Sequence, residues 1–154
     1  MRAVLRHLLA IAAIAVCVTA VGVAAPGAAA RPDGIEVRGA WIREAPPGAE
    51  VLAAYMDIRN KDAKPDVLFE IRTPIAEVVS IHRTVVIKGV ARMEHMETLP
   101  VPARTTVRLK PGGDHLMIMF PERLPKVGAK VPLALRFRRG GTVWLEVPVK
   151  SAIE

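Results

Sequence analysis

From Ile35 onward, apolar residues recur at every second position in short runs, separated by clusters of Gly, Pro, Asn and Asp. A strand turns successive side chains to opposite faces, so such runs read as half-buried strands. They span 35–41, 51–60, 66–71, 78–87, 90–98, 105–109, 115–120, 131–138 and 142–149. Lys88-Gly89 is a two-residue turn signal and Gly140-Gly141 turns the chain between the last two runs. These predict hairpins between the fourth and fifth runs and between the last two. The Gly-rich segment 110–114 predicts a third hairpin, joining 105–109 to 115–120. No window carries a helical period, and thirteen prolines work against long helices. The expected fold is all-β, one antiparallel β-sandwich domain.

In the run 115–120 the alternation separates two chemistries. Leu116, Ile118 and Phe120 share one face, suited to a core, and His115, Met117 and Met119 share the other. Imidazole nitrogen and thioether sulfur are donors that suit Cu(I). Upstream stand His82 and Met93, with ten residues between them, and 21 residues separate Met93 from His115. Around Met93 the alternation puts His95 on the same face and Arg92, Glu94 and Met96 on the other.

The first 30 residues change what the composition means. Arg2 and Arg6 precede an apolar run from Leu8 to Val23, and Ala28-Ala29-Ala30 follows, the layout of a secretory signal cleaved before Arg31. Cleavage after Ala25 is the alternative. The apolar run, about 16 residues, is short of the roughly 20 that span a bilayer, and an uncleaved anchor is the competing reading. A lipoprotein signal wants a small residue before its cysteine, whereas Cys17 follows Val16. The domain is then 31–154, with no cysteine, so it has no disulfides and any metal site must use other ligands. An extracytoplasmic setting (periplasm, cell envelope or secreted) fits, because thioethers resist oxidation better than a thiolate site. Loss of Arg2 and Arg6 lowers the formal charge from +7 to +5, with the remaining basic residues scattered. Six aromatic residues offer little for base stacking, so no nucleic-acid partner is expected.

A single His on a strand is more often a solvated residue than a ligand, and a single Met more often fills a core. Concentration alters the balance. All three His and four of the five Met after the signal fall between positions 82 and 119, leaving only Met56 outside. Adjacent strands lie about 4.8 Å apart, so neighbouring strands carrying His82, Met93, His115 and Met117 can bring two nitrogens and two sulfurs together. Such a neutral set leaves the charge of Cu(I) in place and binds with little pH dependence above the His pKa. A structural zinc site prefers Cys or more His and carboxylates. A blue-copper site needs a thiolate, which the mature chain lacks. Ser80 and Ser151 sit in no nucleophile motif and no carboxylate pair has catalytic spacing, so an enzyme is not expected.

The spacing His, ten residues, Met, 21 residues, His-x-Met resembles the signature of the PCuAC family of extracytoplasmic copper chaperones. Leu109-Lys110-Pro111-Gly112-Gly113 before His115 and Leu116-Met117-Ile118-Met119 agree with it. Ala40-Trp41-Ile42-Arg43, Pro46-Pro47-Gly48-Ala49 and Ala53-Ala54-Tyr55 look like the family's N-terminal segment, so the likeness covers 35–149. The resemblance implies a cupredoxin-like Greek-key β-sandwich that binds Cu(I) through His82, Met93, His115 and Met117. It further implies delivery of copper to respiratory oxidase assembly, with cytochrome c oxidase subunit II or a Sco-type protein as acceptor. The protein is expected to be a monomer, touching membrane only through its acceptor or an uncleaved anchor.

Departures from the family pattern stand out, together with residues of open role. Arg83-Thr84-Val85-Val86 follows His82 where many members carry another Met, and the cation at Arg83 is expected to lower affinity or meet an acidic partner. His95 is either a further donor, assisting Cu(II), or a solvated strand residue. Met119 is either a rim donor or core packing. No Met- and His-rich tail follows Val149, which implies one metal site. Two other functions compete: a β-sandwich adhesion or scaffold module with incidental His and Met, and a copper-storage or redox protein.

Overall fold

Ten strands account for most of residues 34–151, the part of the chain that a computed structural model describes. They are β1 (Ile35–Arg43), β2 (Val51–Asn60), β3 (Asp66–Arg72), β4 (Val78–Ile87), β5 (Val90–Met96), β6 (Leu99–Val101), β7 (Thr106–Leu109), β8 (Asp114–Met119), β9 (Lys130–Phe137) and β10 (Gly141–Lys150). The expected leader, 1–30, lies outside the described residues.

The strand order is β5-β4-β8-β2-β1-β10-β9-β3-β6, with β7 also on β2. Neighbours within a layer that are not consecutive in the chain, such as β4–β8 and β3–β9, require the chain to cross over to the other layer between them, which makes the domain a Greek-key β-sandwich. One layer is β5-β4-β8-β2-β1 and the other β10-β9-β3-β6. They join where Ile42 and Arg43 pair in parallel with Val149 and Lys150. The inward residues of both layers form one core, including Ile42, Leu52, Ile58, Leu68, Leu116, Ile118, Leu133 and Val147. Burying such side chains is the dominant favourable term, about 1.5–3 kcal/mol each.

Four expectations are corrected. The segment 110–114 does not close a hairpin: β7 and β8 both pair antiparallel with β2, as Met56↔Leu109 and Ala54↔Leu116 show. The chain continues in one direction along β2, and the Gly-rich segment is an excursion closed by Gly113 N–H to Lys110 O (3.0 Å) and Lys110 N–H to Asp114 O (2.8 Å). Phe120 is no core residue. Its φ of 51° takes the chain out of the strand, its N–H bonds Glu50 O, and its ring is exposed. The run 90–98 ends at Met96, and Leu99–Val101 forms a separate short strand on β3. In β1 the alternation breaks: a bulge between Arg38 and Trp41, with Gly39 at φ 59°, moves Ile42 inward and Trp41 outward.

Buried polar groups separate framework from site. Among the described residues these are Asn60, Asp66 and His115. Asn60 Nδ2 donates to Lys64 O and Val101 O, and Asp66 accepts from the backbone N–H groups of Val67, Arg139 and Gly140. Both are consumed by the backbone. His115 is not.

Candidate metal centre

The outer face of the β5-β4-β8-β2-β1 layer carries a row of rings at matched register. His82 lies opposite His95 on β5 and opposite His115 on β8. Ring centroids are 5.4 Å apart for His82–His95 and 6.1 Å for His82–His115. The row continues through Tyr55, 6.5 Å from His115, to Trp41, 4.7 Å from Tyr55. The bulge in β1 is what aims Trp41 at Tyr55.

Methionines flank the row on the same face. Met117 lies opposite Ser80, one step along β4 from His82, and its Sδ is in direct contact with His82 Nδ1. Met93 lies opposite Thr84, one step from His82 in the other direction, and is 64% exposed. Met119 lies opposite Val78 on this face, its Sδ accepting from Ser80 Oγ at 3.6 Å, so it does not pack in the core. Of the four residues read from the sequence, His82, His115 and Met117 thus stand side by side. Met93 sits on the same face, toward the hairpin tip and open to solvent.

The two imidazoles are held in metal-ready forms. His115 Nδ1–H donates to Gly113 O at 3.0 Å, leaving Nε2 as the ring's lone pair. The same carbonyl accepts Thr84 N–H at 3.2 Å, so the Gly-rich excursion orients His115 and ties it to β4. Gly112, with φ 75°, makes the excursion possible. The pKa of His82 is pushed below the ordinary imidazole value by burial, then by repulsion from His95 and His115. A lowered pKa keeps His82 neutral, with a lone pair to give.

Arg83 does not burden this face. It points the other way, opposite Asp114, and makes a bidentate pair with it at 2.7 and 2.9 Å. Within the chain the acidic group that Arg83 meets is Asp114, which thus serves Arg83 as well as the turn. Among the described residues no three His, Cys or carboxylate side chains converge as a metal-binding group. Met117 and Met93 are the sulfur donors this face offers beside the two imidazoles, and thioether ligation favours Cu(I) over zinc or hard cations. The donor set fits that ion.

Sequence reasoning gave no role to Trp41, Tyr55 or Ser80. The only signal for Trp41 and Tyr55 was their place in the segments resembling the PCuAC pattern, and Ser80 had none. Their approach to the site needs the pairing register.

Comparison with known proteins identifies the family and the fold. Residues 35–149 match the family described as "Putative lipoprotein LpqE-like". A "Putative lipoprotein Lxx21020" of Leifsonia xyli subsp. xyli (strain CTCB07) is 32% identical over 146 residues, 92% of this chain and 87% of that one. The solution structure of CuI-DR1885 from Deinococcus radiodurans matches with a TM-score of 0.64 at 34% identity, over 82% of this chain and 84% of that one. The copper-bound PCuAC domain from PmoF2 shares the cupredoxin-like fold at 22% identity, with a TM-score of 0.67 over 77% of this chain and 93% of that one. This chain belongs to the LpqE-like family, which is the PCuAC family.

Proposed function

We propose that this protein is a non-enzymatic, extracytoplasmic Cu(I) chaperone that carries its ion on His82, Met93, His115 and Met117. The observation that carries the reading is the contact of His82 Nδ1 with Met117 Sδ, beside a His115 whose Nε2 is left free. Their proximity supports a site in which two nitrogens and a thioether meet the ion with little reorganisation. Met93, exposed at the rim, is the donor that closes over the ion and the first that an acceptor can displace. Handing over copper is then a ligand exchange at an open face, in which acceptor ligands replace thioethers in turn. The relatives support the reading, one of them being a Cu(I)-loaded structure and another carrying a lipoprotein name. Residues 1–30 serve as the leader that exports the domain, 31–154. The acceptor class is respiratory oxidase assembly, either cytochrome c oxidase subunit II or a Sco-type protein.

Titration of the protein with Cu(I) against a chromogenic chelator tests the site. One equivalent should be withheld from the chelator, and His115→Ala/Met117→Ala should surrender it while remaining folded. If that double variant competes as well as the parent, the site is elsewhere. Incubation of loaded protein with isolated acceptor domains, followed by separation and metal analysis, tests the destination.

A further inference from the structure

The layer that carries the site ends in β5, all but the last of whose seven residues are exposed. The other end of the strand order is β6, only three residues long. A long exposed edge is a template for pairing, and proteins normally blunt it with charge. Here the charges are Arg92 and Glu94, on either side of Met93.

The orientation of the free backbone groups follows from the turn. Lys88 and Gly89 have φ of 51° and 79°, the two left-handed positions of a tight two-residue hairpin, which makes Ile87↔Val90 a hydrogen-bonded pair. Counting along the strand, Val90, Arg92, Glu94 and Met96 direct their N–H and C=O groups toward β4, and Ala91, Met93 and His95 direct theirs outward.

We propose that this edge pairs antiparallel with the β5 edge of a second copy, about a two-fold axis through Met93. In that register Arg92 faces the partner's Glu94 and Glu94 faces the partner's Arg92, two opposite-charge pairs that stabilise an antiparallel ladder. Val90 faces the partner's Met96, and Ala91, with its small side chain, faces the partner's His95. Moving the axis to Arg92 or to Glu94 places like charges opposite one another, so the charges select this register. Glu94 is free to pair, because its neighbour on β4, Arg83, is already bound bidentately by Asp114. The two Met93 side chains then meet at the axis on the ring-bearing face, each one strand from its own His82. Association buries a single strand edge, less than the about 1,200–2,000 Å² of a standard stable interface, so the dimer is weak and concentration-dependent. The expected monomer becomes one partner of that equilibrium.

Sedimentation of the copper-free protein over a concentration series up to about 1 mM reads the equilibrium directly. The parent should shift from monomer to dimer, and Arg92→Glu alone and Glu94→Arg alone should stay monomeric. An equimolar mixture of the two variants should associate, since each strand of the mixed pair then faces its opposite charge. A parent that stays monomeric throughout overturns the proposal, as do single variants that associate like the parent or a mixture that fails to associate. Because copper is absent, any of these failures leaves the copper reading to stand or fall on its own titration.

Discussion

His115 Nδ1 donates to the Gly113 carbonyl at 3.0 Å, and this bond decides which nitrogen of His115 can meet a metal. The ring is buried and the bond is short-range in the chain, so the tautomer is set by the fold before any ion arrives. In copper-free protein, nitrogen chemical shifts of the neutral His115 ring should report the tautomer protonated at Nδ1. On Cu(I) loading the Nε2 resonance should move and the Nδ1 proton should stay.

The methionines should contribute unequally. Met117 is partly buried against His82, whereas Met93 is exposed at the rim. Met117→Ala should weaken Cu(I) binding by at least about tenfold, 1.4 kcal/mol, more than Met93→Ala does. Conversely, Met93→Ala should speed transfer to an acceptor more than Met117→Ala at matched loading, since the donor to be displaced first is already gone. Chelator competition gives the first comparison and stopped-flow transfer the second.

Arg83 and Asp114 hold β4 against β8 from the face opposite the rings. Arg83→Ala should lower thermal stability modestly, within about 1 kcal/mol for a pair reached by solvent. Cu(I) affinity should change little, because the register is also fixed by the β4–β8 ladder and the buried Ile81 and Leu116. Melting curves and the chelator titration, run on one preparation, check both.

Acid should destabilise the copper-free domain through His82. Its pKa is lowered in the folded state by burial and by its two His neighbours, so the unfolded chain binds the extra proton first. The contribution is fully present above the ordinary His pKa, and it is lost as pH falls through the folded value. Parent protein should therefore lose stability over that window, and His82→Ala should show a flatter profile in pH-dependent denaturation.

Much of this arrangement was legible in the sequence because each strand buries one face. Strict alternation in β8 already set His115, Met117 and Met119 against Leu116 and Ile118, and the Lys88-Gly89 turn gave the β4–β5 hairpin. Other features depend on partners far along the chain. A Pro-Gly-Gly-Asp turn looks the same whether it reverses a chain or bulges from it, and only the length of β2 shows that β7 and β8 lie end to end. The outward aim of Trp41 follows from a bulge at Gly39 that alternation cannot show. Arg83 read as a cation near copper until the β4–β8 register set Asp114 opposite it.

X-ray absorption at the copper edge of the Cu(I)-loaded protein tests the central claim most directly, since it separates nitrogen from sulfur around the ion. The account predicts a mixed shell of imidazole nitrogen and thioether sulfur, with the sulfur component reduced in Met117→Ala. A shell of nitrogen and oxygen alone, or one unchanged by that substitution, would contradict it.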